Sequence, residues 1–251
     1  MPVETQHTVK AFDDELQRLK QAVAQMGGLV EAQLQAAVDA LVKRDAEAAA
    51  KVVREDARID ELEQQVGNLT IRLLALRQPM AVDLRQIVCA LKISSDLERI
   101  GDYAANVAKR AIALSQQPQV RPVHAIPRMA RLVQQIIKDV LDAYVDLNAA
   151  KAVAAWQRDE EVDEMYTSLF RELLTYMMED QRNIGPSIHM LFIAKNIERM
   201  GDHATNVAED VHFLVYGRPL DQVRPKGDQT SFTIVPATPG APPIEAGEVE
   251  P

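Results

Sequence analysis

The chain has 251 residues, 47% hydrophobic and only 4% aromatic, with a formal net charge of −9. That acidic balance, without an evident Lys/Arg cluster, excludes a general nucleic-acid binder, whose affinity comes from neutralising backbone phosphates. A run of about 18 apolar residues is missing, and Met1-Pro-Val-Glu-Thr-Gln-His lacks a basic-then-apolar leader, so a soluble protein without direct membrane insertion is expected.

Apolar residues step by threes and fours from Val9 through Phe12, Leu16, Leu19, Val23, Met26, Val30, Leu34 and Val38 to Leu41. This spacing predicts a first amphipathic helix of about ten turns. Gly27-Gly28 inside it costs about 1 kcal/mol per glycine relative to alanine, so a bend or a close helix crossing is the expected reason for the pair. Ile59, Leu62, Val66, Leu69, Leu73 and Leu76 mark a second helix, stopped at Gln78-Pro79 because the residue before proline is pushed out of the α region. A third helix runs from Ala81 to Leu114 and contains the lone Cys89 within Ile87-Val-Cys-Ala-Leu91. One cysteine rules out an internal disulfide and reads as a small core residue of an intracellular protein. Pro118, Pro122 and Pro127 make residues 117–127 a linker.

The plan then repeats, with predicted helices from Met129 to Asn148, Ala152 to Glu179 and Pro186 to Tyr216. Abundant Ala, Leu, Glu, Gln and Arg with little β-branched alternation predict an all-α fold. Two tandem three-helix bundles are expected, residues 1–116 and 128–216, followed by a disordered tail over 217–251 that holds seven of the thirteen prolines. Within the tail, Ser231-Phe-Thr-Ile-Val235 reads as linker or as a partner-docking segment.

Asp96-Leu-Glu-Arg-Ile-Gly-Asp-Tyr-Ala-Ala-Asn-Val-Ala108 recurs as Asn196-Ile-Glu-Arg-Met-Gly-Asp-His-Ala-Thr-Asn-Val-Ala208, which marks an internal duplication. Glu98, Asp102 and Asn106, like Glu198, Asp202 and Asn206, are spaced i, i+4, i+8 and predict a stripe of oxygen atoms on one helix face. On nearly the opposite side, Ile93, Leu97, Ile100, Ala104, Val107 and Ala111 predict a core face, matched by Ile193, Ile197, Met200, Ala204, Val207 and Val211. Aligning Ile59 with Val162 superimposes Asp56 on Asp159 and Asp60 on Asp163, so the duplication reaches the second helix of each half.

Carboxylates at i, i+4 repel, and their recurrence asks for a compensating cation. Packing the second helix on the third would gather four carboxylates per repeat. An all-oxygen set suits Mg²⁺, Mn²⁺, Ca²⁺ or iron; with His sparse and Cys lacking from the motif, zinc is the less favoured member of the set. Arg99 and Arg199 offer the alternative of salt bridges in place of a metal. Gly101 and Gly201 inside helices predict close backbone approach. His203, one residue from Asp202, points about 100° away and reads as a surface or interface histidine. No Gly-rich phosphate loop, nucleophile elbow or Glu-x-x-His di-iron pattern occurs, which disfavours the alternatives of a metal-dependent hydrolase or an iron-storage protein.

Arg77-Gln-Pro-Met-Ala-Val-Asp-Leu-Arg85, with the paired Glu-Arg-x-Gly-Asp segments at Glu98 and Glu198, resembles the PhoU family over about residues 7 to 216. The resemblance implies two three-helix bundles and metal-binding motifs at Asp56 and Asp60, Glu98 and Asp102, Asp159 and Asp163, and Glu198 and Asp202. It also implies a non-enzymatic cytoplasmic adaptor that links the ATP-binding subunit of a phosphate ABC transporter to a phosphate-sensing histidine kinase and represses phosphate-starvation genes. Recruitment to the inner face of the membrane through those partners is expected, as is a homodimer. Asn196 stands where the first repeat has Asp96, and Gln181-Arg-Asn-Ile-Gly-Pro186 replaces the Gln-Pro-Met-Ala-Val-Asp-Leu-Arg box, so the two sites are expected to differ in metal affinity.

Overall fold

A computed structural model describes residues 3–118, 124–222 and 230, and among these there are helices and no strand. The helices are α1 (Val3–Lys43), α2 (Ala46–Glu55), α3 (Ala57–Arg77), α4 (Ala81–Ser115), α5 (Ala125–Asp146), α6 (Ala149–Gln157), α7 (Asp159–Glu179) and α8 (Ile184–Tyr216). A 3-10 turn, Gln181–Asn183, precedes α8.

The middle helix of each unit is two helices, where the sequence predicts one unbroken helix from Ala152 to Glu179 and only the later part of its counterpart. The same turn opens both. Arg44 (φ 57°) and Leu147 (φ 51°) adopt left-handed backbone. Asp45 Oδ1 then accepts from Ala48 N at 2.9 Å, and Asn148 Oδ1 from Lys151 N at 3.1 Å, which caps α2 and α6. The helix that follows opens in a tightened turn in both units, with Ile59 N donating to Asp56 O at 2.8 Å and Glu161 N to Arg158 O at 3.2 Å. Neither kink carries proline or glycine, so no breaker announces it.

Two boundaries also move. Ala125, Ile126 and Pro127, assigned to the linker, open α5; Ile126 is buried, and Pro127 sits in the first turn, where a missing N–H is tolerated. At the other end, Gly217 (φ 69°) closes α8 with its N–H on Phe213 O at 2.8 Å, and Leu220 packs against the core. The tail expectation therefore starts too early at Gly217. Its remainder, including Ser231–Val235, lies outside the described residues apart from Thr230.

Helices α4 and α8 form the centre. Their antiparallel course is read from the contacts Lys92–Asp210, Asp96–Asn206 and Arg110–Phe192, in which numbers rise on α4 as they fall on α8. The outer pairs lie equally far from Gly101 and Gly201, so the duplication is expressed as a local pseudo-twofold at that level. Helices α1, α2 and α3 cover α4, while α5, α6 and α7 cover α8, and α1 also meets α5. A continuous core results, to which Ile93, Leu97 and Ile100 contribute from α4 and Ile193, Ile197 and Met200 from α8, as the apolar stripes predict.

The Gly27-Gly28 pair divides in function. A Cβ at Gly27 would overlap the Leu141 side chain of α5, whereas at Gly28 nothing lies within 4 Å. Gly28→Ala should therefore raise stability by up to about 1 kcal/mol through helix propensity, and Gly27→Ala should forfeit that gain because Leu141 must move. Urea midpoints of both variants test the contrast; equal stabilisation by both would show that α1 and α5 do not cross closely there.

Candidate functional site: two carboxylate clusters

Each central glycine is a seat for a carboxylate. A Cβ at Gly101 would lie 3.4 Å from Asp56 Oδ1 and 3.3 Å from Gln33 Oε1, and a Cβ at Gly201 would lie 2.7 Å from Asp159 Oδ1. The α2–α3 and α6–α7 kinks thus bring an aspartate onto the backbone of α4 or α8, between the glutamate and aspartate of the Glu-Arg-x-Gly-Asp segment. The predicted close approach serves that contact at Gly201, whereas at Gly101 the tightest neighbour is the Ile59 side chain, 3.0 Å from where a Cβ would lie.

In the first cluster Asp56 Oδ1 accepts from Gln33 Nε2 at 2.8 Å. Burial raises the Asp56 pKa; the Gln33 bond opposes this, and the charges of Asp102 and Asp60 push it further up. Glu98 is raised chiefly by burial, then by Asp102, Asp60 and Glu63, with Arg99 opposing. Asp56, Asp60, Glu98 and Asp102 therefore feel one another across α3 and α4. Asp60 and Asp102 are exposed.

The second cluster is drier. Asp159, Asp163 and Glu198 are only 1%, 4% and 4% exposed. Lys195 Nζ donates to Glu198 Oε1 at 2.7 Å and lies 4.8 Å from the centre of the Tyr166 ring. Burial lifts Glu198 from the usual 4.5 to about 7, against the Lys195 hydrogen bond and with the help of Asp202 and Asp163.

The supporting residues divide. Arg99 acts on Glu98. Arg199 instead stacks its guanidinium 5.9 Å from the Tyr103 ring, on the other repeat. Asn206 Nδ2 donates to Asp96 Oδ1 at 3.2 Å across the α4–α8 seam, and Asn106 accepts from Lys109 at 3.4 Å. Asn206 leaves the acidic stripe because eight residues overshoot two full turns by about 80°. His203 is an interface residue, with Nδ1 2.7 Å from Asp96 Oδ1 and its ring 5.6 Å from that of Tyr103.

Sequence reasoning missed Gln33, Glu63, Tyr166 and Lys195. Only Lys195 carried a signal, since it directly precedes the repeated segment at the place of Ser95. The oxygen donors suit a hard cation. Among the described residues, no three His, Cys, Asp or Glu side chains are gathered tightly enough to hold an ion as they stand, consistent with like charges keeping their distance.

The PhoU domain matches twice, over residues 23–111 and 126–211. The chain belongs to the PhoU family. It is 50% identical over 228 residues to the phosphate-specific transport system accessory protein PhoU homolog of Caulobacter vibrioides, covering 90% of this chain and 99% of that one. The Xylella fastidiosa protein of the same name is 49% identical over 225 residues, covering 90% and 95%. The crystal structure of PhoU from Pseudomonas aeruginosa superposes with TM-score 0.80 at 40% identity, covering 82% of this chain and all (100%) of that one. The phosphate transport system regulatory protein PhoU from Streptococcus pneumoniae gives 0.78 at 31%, covering 84% and 100%. The family's tandem-domain, all-α fold is therefore that of this chain.

Glu198 makes PhoU-fold stability depend on pH. Its folded pKa lies above its unfolded value, so between 4.5 and about 7 the folded state binds more protons, and stability falls as pH rises through that window. Glu198→Gln should flatten this slope in protein stripped of metal with a chelator. Urea midpoints at about pH 5 and about pH 8 measure it; an unchanged slope would assign the titration to another group.

Proposed function

We propose that this chain is a cytoplasmic, non-enzymatic adaptor and negative regulator of phosphate uptake and phosphate-starvation signalling. It couples the ATP-binding subunit of a phosphate ABC transporter to a phosphate-sensing histidine kinase. The observation that carries this reading is the tandem PhoU match across the helical body, together with relatives at up to 50% identity named as accessory proteins of phosphate-specific transport. Among the described residues no helix is long and apolar enough to cross a membrane, so action at the inner membrane face runs through partners. A net charge of −9 favours encounter with basic surfaces of those partners, with more effect on association rate than on affinity. The chain works as a homodimer in this reading.

The same reading includes cation binding at both carboxylate clusters. Asp56, Asp60, Glu98 and Asp102 would hold one ion, and Asp159, Asp163, Glu198 and Asp202 the other, with Mg²⁺, Mn²⁺ or iron preferred over Zn²⁺ by the oxygen donor set. Two buried oxygens without a hydrogen-bond partner, Gln33 Oε1 and Glu198 Oε2, support the presence of a missing ligand. Closing on an ion requires the carboxylates of each cluster to draw together from their present places.

Deleting the gene while leaving the transporter intact should switch on phosphate-starvation genes in ample phosphate. Capture of the transporter ATPase or kinase by the purified protein should weaken as salt rises. A reporter that stays repressed, with neither partner captured at low salt, would sink the adaptor reading. Asp102→Asn and Asp202→Asn together should weaken Mn²⁺ uptake, measured by calorimetry.

A further inference from the structure

The two clusters occupy equivalent places but have different surroundings. At Gly101 the neighbour from α1 is Gln33, and at Gly201 the neighbour from α5 is Val133. The α3–α7 alignment that pairs Ile59 with Val162 pairs Glu63 with Tyr166, and the α4–α8 alignment pairs Ser95 with Lys195. The first cluster is thus enriched in oxygen. Gln33 is 6% exposed and donates to Asp56 Oδ1, while its own Oε1, turned toward Gly101, has no hydrogen-bond partner. Glu63 adds a further negative charge near Glu98.

In the second cluster the place of the amide is taken by apolar Ile136, at the offset that pairs Asp45 with Asn148, a tyrosine replaces the extra acid, and a lysine replaces the serine. The ammonium of Lys195 is already bonded to Glu198 Oε1 at 2.7 Å and backed by the Tyr166 ring at 4.8 Å. Lys195 is 31% exposed on its side chain while Glu198 is 5% exposed, so the pair lies at the margin of the core with the lysine on its outer side. A cation entering there competes with a resident positive charge and must draw Glu198 away from it. A charge-assisted bond of this kind is stronger than a neutral one.

We propose that Lys195 is a built-in counter-cation that makes the second cluster the weaker metal site, so that the protein takes up a divalent cation first at Asp56, Asp60, Glu98 and Asp102. The inference rests on the reading that the carboxylate clusters bind cations, and it supplies an order of filling that the acidic motifs by themselves do not contain. At low free cation the second cluster is held by Lys195 and the first responds. The second responds only when the concentration is high enough to displace the ammonium.

Mn²⁺ binding to the full chain, followed by the loss of the free-ion electron paramagnetic resonance signal, tests this order. The wild type should show a tighter site lost in Asp102→Asn and a weaker site lost in Asp202→Asn. Lys195→Ser, which installs the first repeat's residue, should tighten the weaker site by roughly tenfold to a hundredfold, the range expected from removing a competing charged hydrogen bond. Lys195→Met should do the same while retaining the side chain's packing, and Lys195→Arg should leave the site weak. Circular dichroism and melting of each variant establish that it folds. Two sites of equal affinity, unmoved by Lys195→Ser and Lys195→Met in folded protein, would overturn the role of Lys195 while leaving cation binding intact. Mn²⁺ uptake insensitive to every carboxylate substitution would overturn both.

Discussion

The contact on which the molecule depends is the antiparallel crossing of α4 and α8 at the level of Gly101 and Gly201. On the seam side these helices bury aliphatic stripes against each other and against the outer helices. On the far side, the missing Cβ atoms let Asp56 and Asp159 rest on the helix backbone. A helix gives up propensity by carrying glycine in its interior; here a Cβ would come within 2.7 Å of Asp159 Oδ1 at Gly201 and within 3.0 Å of the Ile59 side chain at Gly101. The kinks at the ends of α2 and α6 belong to the same arrangement, since they deliver those aspartates. Core packing and acidic site are therefore two faces of the same helices.

The duplicated halves are alike in backbone and different in charge. Lys92–Asp210 at 2.9 Å marks one end of the seam and Arg110 over Phe192 at 4.2 Å the other. Between them, Asp96 receives both His203 and Asn206, whereas the equivalent position on α8 is Asn196. Lys92 is 58% exposed on its side chain but Asp210 only 11%, so the lysine reaches in from solvent to neutralise a carboxylate at the edge of the core.

On the proposed reading, the carboxylates give the scaffold a means of responding to cations. Several acids whose pKa values are raised by burial and by one another destabilise the folded state when ionised. Any ligand that binds the folded state preferentially recovers that free energy by linkage. Asp56 sits at the α2–α3 junction and Glu98 near the middle of α4, so an ion held between them would bridge the kink and the central helix.

Much of this was legible in the residues. The all-α class, the duplication, the core stripes and the eight acidic positions follow from spacing, because helical periodicity maps sequence directly onto faces. Asp45 and Asn148, at matching places, were readable caps, whereas the kinks at Asp56 and Arg158 were silent: hydrophobic spacing runs through them without a proline or glycine. Tertiary structure alone decided which residues complete the site. Gln33 lies 23 residues from Asp56 and meets it because α1 packs back on α2 and α3. Asn206 left the stripe for the seam and Arg199 turned there instead of to the acids, since the other repeat supplies Asp96 and Tyr103. Lys195 could be seen as a difference from Ser95, but its direction could not, since a long flexible side chain turns toward whichever charge the fold sets beside it. Periodicity determines which face a residue occupies; its partner is determined by what packs against that face.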